Sequence, residues 1–578
     1  MNDSSSGPAD SVRSHEDVLL ERAADKGPLG KAAIYARLSG PGWLQGAITL
    51  GGGSLAGALY LGVIMGFNMM WLQPVAMILG VIMLSAISYV ALSTGQRPFE
   101  TLKKNISPVL AWAWLIATMM ANIVWCLPQF SLGTAAVQQN LIPALDSGTG
   151  KVIIAVVMLI VTSTVVWFYN SGSRGIRIFE LILKAMVGVV VLSFFGVVIA
   201  MSLEGVLDWG KIFAGFVPNL SYLFQPVPEL ADSAAQTGDF ADWWTAKIAA
   251  IQKDRIITAF ATAVGINMTF LLPYSMLRKG WGVKHRGLAI FDLSIGLIVP
   301  FVLATGCVVI AAASQFHGSY ADVMSMVQAG DDKAKEVGDY YGFVDQRIAE
   351  TGEAEKQLIA AAADPASPDH SQATEKRQEL RDALPEADRK VAAMLAGRDN
   401  FALAGTLEPL VGKTVAQTLF GVGVLGMAIS TIIILMLING FAFCELIGTP
   451  DNQTMHRIGS FIPAIGVLGP FYWAKAAPAL AVPTSVIGGA MLPIAYLSFL
   501  LLMNSRHALG ASMPTGARRV WWNALMIFAT GVATFGSIWS LSSRGTIGMV
   551  ALALLGVMLL LGVVGFWRKQ SDEHPVQS

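Results

Sequence analysis

The chain has 578 residues, of which 54% are hydrophobic and 13% are charged, and its mean hydropathy is +0.57. This composition excludes an ordinary soluble globule and indicates a polytopic membrane protein. The formal net charge is zero, so nothing in it points to a nucleic-acid partner. The cysteines form no CxxC pair, and we expect buried thiols rather than a disulfide framework at Cys126, Cys307 and Cys444.

The first 39 residues precede the first apolar segment and contain many Ser, Asp and Gly residues with mixed charges. We expect residues 1–39 to be a disordered cytoplasmic tail. The apolar segment that follows is too long for a cleavable signal peptide and should remain as a membrane helix.

Twelve apolar segments are long enough to cross a membrane as helices, which predicts an all-α polytopic fold. Lys and Arg are concentrated in alternate short loops, which places both termini in the cytoplasm, and we expect a bacterial plasma (inner) membrane protein surrounded by lipid. Helices 1 to 12 are predicted at about 41–66, 71–93, 109–136, 151–170, 178–202, 255–277, 288–313, 413–444, 457–476, 480–503, 519–541 and 546–567.

Two connections on the extracytoplasmic side are long, residues 204–254 and 318–408. The second has 18 acidic and 10 basic residues, hence a net charge of −8. Helical composition around 344–362 and 372–397 predicts a small charged helical insertion, with a cation-attracting or partner-docking cap as the alternative to a merely solvated one. The remaining units are 40–203 (the first five helices), 255–317 (helices 6 and 7), 409–510 (helices 8 to 10), 511–568 (helices 11 and 12) and a cytoplasmic tail at 569–578.

Helix 1 contains the consecutive glycines Gly51, Gly52 and Gly53, followed by Ser54. Each glycine costs roughly 1 kcal/mol in a helix relative to Ala, so three together predict a break. Unwound backbone at membrane depth is tolerated only where it is buried in protein or lines a cavity. The break therefore indicates a transporter substrate site, and close packing of helices through small residues is the alternative.

Helix 6 has a similar interruption at Val264-Gly265-Ile266-Asn267, with Pro273 after it. Breaks in the first and sixth helices fit a repeated five-helix unit. Because five is an odd number, the second unit must be inverted across the membrane. Helices 11 and 12 lie outside this 5+5 inverted repeat.

Several segments resemble the Nramp family of divalent-metal transporters, which belongs to the amino acid–polyamine–cation superfamily. The resemblance extends over most of residues 38–530 and implies the inverted-repeat architecture. It is carried by Gly40-Pro41-Gly42-Trp43-Leu44, Gly175-Ile176-Arg177-Ile178-Phe179-Glu180, residues 420–431 and Leu492-Pro493-Ile494-Ala495.

The resemblance is weakest at the metal site. The family's Asp-Pro-Gly-Asn motif of helix 1 falls on Gly51, Gly52, Gly53 and Ser54, and its helix 6 motif, Ala-x-x-Met-Pro-His, falls on Ala261, Val264, Gly265 and Ile266. We therefore expect this chain to lack the carboxylate, sulfur and imidazole ligands. In helix 3 the family's carboxylates correspond to apolar residues, and the helix 10 Gln corresponds to Ser485.

Neutral oxygen atoms are the ligands that remain at the two breaks. Carboxylate with thioether selects metals such as Mn or Fe, whereas hard oxygen ligands suit Mg, which keeps several of its waters. The candidate binding residues are Thr49, Gly51, Gly52, Gly53, Ser54, Ala261, Val264, Gly265 and Asn267. The candidate cavity-lining residues are Asn122, Gln129, Ser430, Thr431 and Ser485, with hydrogen bonding between helices as the alternative role.

One acidic residue, Asp292 at the start of helix 7, is a candidate proton carrier because charges inside membrane segments are commonly functional.

We predict a secondary transporter or facilitator of a divalent cation that works by alternating access, with Mg favoured and no resident cofactor. A small amino acid is an alternative substrate, since exposed N–H groups at a half-helix N-terminus favour a carboxylate. A nontransporting receptor is a second alternative. No enzyme motif is present, and the sequence does not indicate an oligomeric state.

Overall fold

The computed structural model describes residues 18–23, 25–169, 172–262, 264–331, 334–398, 403–405, 408, 412–472 and 490–571. Helices joined by short turns make up these residues, and no strand occurs in the described ranges. Nine of the helices there are long and apolar enough to cross a membrane. The predicted all-α membrane fold is therefore confirmed.

These nine helices correspond to predicted helices 1 to 5, 7, 8, 11 and 12. Their bounds are Gly52–Met69, Leu72–Thr94, Pro108–Leu141, Gly148–Tyr169, Arg174–Leu203, Val283–Phe316, Ala416–Leu446, Gly516–Ser542 and Gly545–Gln570.

The other three predicted helices are interrupted or only partly described. Helix 6 consists of Ala241–Thr262 and Ile266–Arg278. Helix 9 is Gln453–Phe461 and continues as the 3-10 helix Ile462–Leu468. For helix 10 the structure describes Leu492–Met503, while the preceding residues 473–489 lie outside the described ranges.

Helix 8, Lys413–Leu446, is at the centre of the bundle. Every residue from 432 to 438 is fully buried. A helix that is apolar and buried on all sides must be surrounded by other helices, and helix 8 packs on helices 3, 5 and 9 and on the first half of helix 1.

The N-terminal tail is more ordered than expected. Pro28–Leu38 is a helix, so the prediction of disorder through residue 39 is wrong for this segment. Pro28 occupies the first helical turn, where its missing N–H costs nothing. The ring of Tyr35 packs edge-on against Phe291 of helix 7 at 5.5 Å, which holds the helix against the bundle. Residues 1–17 lie outside the described ranges.

The charged insertion contains five described helices, at Ala321–Gln328, Lys335–Ala349, Glu353–Ala363, His370–Ala383 and Glu386–Leu395. The two longer helices expected at 344–362 and 372–397 are each divided. Gly352 is fully extended, with φ 179° and ψ 171°. Pro385 is extended immediately before the last helix, since proline cannot continue the preceding helix.

Buried polar contacts hold the insertion on the membrane bundle. Arg347 Nε donates to Asp388 Oδ1 at 2.7 Å, and Trp244 Nε1 donates to the same oxygen at 2.8 Å. Trp244 belongs to the first half of helix 6. The Tyr60 hydroxyl of helix 1 donates to the Leu395 carbonyl at 3.1 Å. The insertion therefore contacts the second half of helix 1 and the first half of helix 6.

Replacing Asp388 by Ala should destabilise the insertion by about 3–5 kcal/mol, because it leaves the buried Arg347 without its counter-charge. The two side chains are 1% and 5% exposed. Thermal unfolding of the purified protein in detergent measures the change. The matched control is Glu379→Gln, which removes an exposed pair with Lys376 at 3.0 Å and should cost about 0–1 kcal/mol. Equal effects of the two substitutions would contradict this account.

Candidate functional site

Helix 1 is broken where the glycine run predicts it. The first half, half-helix 1a, is Pro41–Thr49, and the second, half-helix 1b, is Gly52–Met65. Between them Leu50 has φ −76° and ψ 67°, and Gly51 is extended, with φ −118° and ψ 177°. The predicted break is therefore confirmed.

Helix 6 is broken as well, between Thr262 and Ile266. Gly265 is extended, with φ −79° and ψ 157°, and the second half begins after it. Ala261 lies in the last turn of the first half, and Val264 and Gly265 lie in the break itself. The predicted second interruption is also confirmed.

The two breaks meet through residues that the sequence analysis did not single out. Gln45 Nε2 donates to the Met268 carbonyl at 3.2 Å. The Thr49 hydroxyl oxygen is 3.2 Å from Met268 Sδ and 2.8 Å from the Gln45 carbonyl. Because this hydroxyl has one proton, the nearer carbonyl is its stronger acceptor. These contacts place the Met268 thioether beside the C-terminal end of half-helix 1a.

The Met268 thioether was not considered in the prediction that helix 6 supplies no sulfur ligand. Met268 is one helical turn beyond Val264, the position that the family register assigns to the metal-binding Met. Its Sδ accepts a hydrogen bond from the Gly265 N–H at 3.4 Å. Gln45 is the other residue that was missed, although it is a polar residue one turn before Thr49 in an otherwise apolar half-helix. Its Oε1 is buried and has no hydrogen-bond partner among the described residues.

Helix 3 contacts both breaks through the two amides expected to line a cavity. Gln129 Oε1 accepts from the Gly52 N–H at 3.1 Å. Asn122 Oδ1 accepts from Asn267 Nδ2 at 3.3 Å, and Asn267 Oδ1 accepts from the Met268 N–H at 3.0 Å. Cys126 instead faces helix 9, where a Cβ on Gly466 would lie 2.8 Å from its Cβ. The amides supply partners for the backbone and side chains at the breaks.

Helix 8 contributes two hydroxyl groups at the end of half-helix 1a. Ser430 Oγ donates to the Ala47 carbonyl at 3.0 Å, and Thr431 Oγ1 lies 3.5 Å from the same oxygen. The Ser54 hydroxyl donates to the Thr49 carbonyl across the break itself. Ser430 and Thr431 thus contact half-helix 1a, whereas Ser485, the lining candidate of helix 10, lies outside the described residues.

The glycines of helix 1 have different surroundings. A Cβ on Gly51 would lie 2.8 Å from Thr431 Oγ1, and one on Gly52 would lie 2.7 Å from Leu132. Gly53 and Gly57 have no described neighbour within 4 Å of such an atom, and both are exposed. Half-helix 1a, by contrast, is buried at every position except Trp43, which is partly buried. Free space at the break therefore lies along half-helix 1b.

Asp292 lies away from the breaks, at the N-terminus of half-helix 1a. Its carboxylate accepts hydrogen bonds from the Gly40 N–H at 3.0 Å and the Gly42 N–H at 2.6 Å. A carboxylate at this position satisfies free N–H groups and interacts favourably with the helix dipole. Lys184 Nζ donates to the Ser39 carbonyl next to it at 2.7 Å. These contacts fix the start of the half-helix to helices 5 and 7.

The site is poor in conventional metal ligands. Among the described residues, no group of three or more His, Cys, Asp or Glu side chains is arranged to hold a metal ion. The polar atoms close to the two breaks are amide, hydroxyl and carbonyl oxygens together with the thioether of Met268. Such a set can replace part of the hydration shell of a cation without neutralising its charge.

Comparison with known proteins gives a family and a fold. The family model described as Natural resistance-associated macrophage protein-like (Nramp) matches residues 42–340 and 392–543. The unmatched residues 341–391 belong to the insertion. No curated protein sequence matches significantly.

Solved structures of a manganese transporter from Eremococcus coleocola share the fold. A histidine-to-alanine variant aligns at TM-score 0.51 and 12% identity over 93% of this chain and 96% of that one. A glutamate-to-glutamine variant gives 0.52 at 11% identity over 93% and 96%. The complex with an aromatic bis-isothiourea substituted compound gives 0.50 at 12% over 92% and 94%. At such low identity the likeness concerns the fold alone.

Gly42→Ala should destabilise the protein by roughly 1–3 kcal/mol or more, as overpacking does. The added Cβ would lie 2.1 Å from the Asp292 carbonyl oxygen, so half-helix 1a would have to move. The control, Gly57→Ala, meets open space and should be neutral or stabilise by about 0.5–1 kcal/mol. Thermal unfolding in detergent distinguishes the two, and a neutral Gly42 variant would refute the close packing.

Proposed function

Because the chain belongs to the Nramp family, we propose that it carries a divalent metal cation across the membrane, binding it where the two helix breaks meet. The observation that supports this most is the contact of half-helix 1a with the second half of helix 6, through Gln45, Thr49 and Met268. Broken helices place carbonyl oxygens at membrane depth, where they can coordinate an ion. The proposed ligands are neutral.

Mg is the favoured substrate under this proposal. The Gln45 and Thr49 oxygens at the break are hard ligands of the kind that Mg accepts. Met268 adds a thioether, which favours softer metals, but no carboxylate accompanies it at positions 51 to 54. A neutral site offsets less of the dehydration cost of a dication. We therefore propose weak binding of a partly hydrated ion.

Transport would proceed by alternating access around the site. In this structure half-helix 1a is enclosed by the bundle, while Gly53 and Gly57 of half-helix 1b are exposed. Release of the ion on the other side would require half-helix 1a to leave its contacts with Asp292 and with helix 7. Asp292 remains a candidate proton carrier, since protonation of its carboxylate would weaken the hydrogen bonds that it accepts from the Gly40 and Gly42 N–H groups.

The alternative substrate, a small amino acid, needs free N–H groups at the start of half-helix 1b. The Gly52 N–H is already bonded to Gln129 Oε1 at 3.1 Å, which argues against a carboxylate there. A receptor without transport would have little use for paired breaks. We propose no enzyme activity, and we place the protein in a bacterial plasma membrane with cytoplasmic termini on the basis of its loop charges.

Uptake into proteoliposomes tests the substrate. We expect saturable Mg uptake, weaker Mn uptake and no uptake of small amino acids, with each substrate measured with and without a pH gradient. Met268→Leu should leave Mg uptake within about twofold of that of the unchanged protein. It should reduce Mn uptake by a larger factor, because it removes the only soft ligand that we propose. Strong Mn uptake that requires a proton gradient and disappears in Met268→Leu would overturn the preference for Mg.

Restoring the Asp and Asn of the family's helix 1 motif should convert the site into one that prefers Mn. Gly51→Asp with Ser54→Asn is expected to tighten Mn binding by about tenfold or more, equivalent to at least 1.4 kcal/mol. A side chain at position 51 meets Thr431 at 2.8 Å, so the substitutions are best combined with Thr431→Ala. Gly57→Asp adds the same charge in open space and should not produce this gain. Equal gains in both variants would show that charge alone, not coordination at the break, is responsible.

A further inference from the structure

The segment that begins at the last residue of helix 5, residues 203–224, exposes an unusual number of apolar side chains. We call it the aromatic segment. Phe213 is 66% exposed and Phe224 is 75% exposed. A soluble surface rarely leaves so many large apolar residues together, and a contiguous patch of this kind marks an interaction site. The exposed members are Leu203, Val206, Trp209, Phe213, Phe216, Val217, Leu220 and Phe224.

The orientation of this segment is fixed by contacts on its other face. Its short helix, Trp209–Ala214, is capped by Asp208, which accepts from the Lys211 N–H at 3.1 Å. Ile212 is buried. The Gly215 carbonyl accepts from the Trp71 N–H at 3.1 Å, at the turn between helices 1 and 2. The apolar side chains therefore point outward because the opposite face is held against the bundle.

The outward face continues a surface that must contact lipid. Helix 5 exposes a stripe of apolar residues along its length, ending at Leu203, where the aromatic segment begins. Trp209 Nε1 donates to Ser202 Oγ in the last turn of helix 5 at 3.1 Å. This bond brings the indole ring to the end of the stripe. The stripe consists of Leu192, Phe195, Ile199 and Leu203.

At its far end the segment meets a second membrane helix. Lys253 Nζ lies 5.1 Å from the Phe224 ring and 5.6 Å from the Trp539 ring of helix 11. Helix 11 is also apolar and exposed near this point, at Phe535 and Ile538. Trp rings such as those of Trp209 and Trp539 are typical of the boundary between headgroups and acyl chains, and lysine side chains near helix ends extend to it.

We propose that the aromatic segment lies in the bilayer interface and binds phospholipid at the boundary between headgroups and acyl chains. Amphipathic segments bind there by burying an apolar face and leaving polar groups in water. Lys253, which lies over the Phe224 and Trp539 rings, is the basic side chain that would meet lipid phosphates. Because Gly215 is bonded to Trp71, the segment also fixes the turn between helices 1 and 2 to the membrane surface.

Spin labelling of the full-length protein in phosphatidylcholine vesicles tests the proposal. The three native cysteines are buried, so a nitroxide can be attached at Phe213→Cys. The measurement is the ratio of its collision rates with oxygen, which concentrates in lipid, and with a water-soluble nickel complex. The references are Ile199→Cys on the exposed face of helix 5 and Gln372→Cys on the exposed face of the insertion.

We expect the ratio at position 213 to exceed that at position 372 several-fold and to approach that at position 199. A ratio equal to that at position 372 would place the segment in water and overturn the proposal. Low collision rates with both reagents would show that protein covers the segment, and would overturn it as well. If Phe213→Cys does not fold, Val217→Cys gives the same test, since Val217 is 68% exposed.

Discussion

Backbone that leaves a helix inside a membrane must find other hydrogen-bond partners, and this constraint shapes the centre of the molecule. Water is absent from the bilayer core, so each unpaired N–H or carbonyl costs several kcal/mol. Gln129 of helix 3 and Ser430 of helix 8 supply partners for half-helices 1b and 1a, respectively. Helix 8 can approach so closely because Gly51 has no side chain, since a Cβ there would lie 2.8 Å from Thr431 Oγ1. Helices 3 and 8 thus stabilise the break in helix 1.

The same close approach explains the asymmetry of the site. Half-helix 1a lies against helix 7 at two glycines, Gly42 and Gly46, where a Cβ would come within 2.1 and 2.2 Å of backbone oxygens. The Asp292 cap strengthens this contact. Half-helix 1b has no such contact along Gly53 and Gly57. Half-helix 1a is therefore buried along nearly its whole length. Half-helix 1b is open at Gly53 and Gly57 and packs on helix 7 further along, at Gly62, where a Cβ would lie 2.7 Å from the Val309 carbonyl oxygen.

Much of this architecture could be predicted from the sequence because it depends on local properties. Hydropathy located the membrane helices, and the run from Gly51 to Gly53 located a break. Both follow from the cost of exposing backbone or polar groups in hydrocarbon. The divided helices of the insertion were missed because a single extended residue, Gly352 or Pro385, separates consecutive helices within otherwise helical composition.

The contacts between distant segments could not be predicted in this way. Met268 lies 219 positions from Thr49, and Asp292 lies 250 positions from Gly42. Hydropathy and spacing do not show which side chains meet across such distances. The family register placed Met at Val264, whereas the structure brings the thioether of Met268 to the break from the next turn. The helix Pro28–Leu38 was missed because it is stabilised by packing on Phe291, not by its own sequence alone.

The most direct test of the central claim is to locate the ion. Anomalous diffraction from crystals soaked in Mn²⁺, and then in Mn²⁺ with excess Mg²⁺, reports where a divalent cation binds and whether Mg competes. Our account predicts an anomalous peak between Thr49 and the break in helix 6, which excess Mg removes. A peak elsewhere, or a peak at the break that excess Mg leaves unchanged, would contradict it.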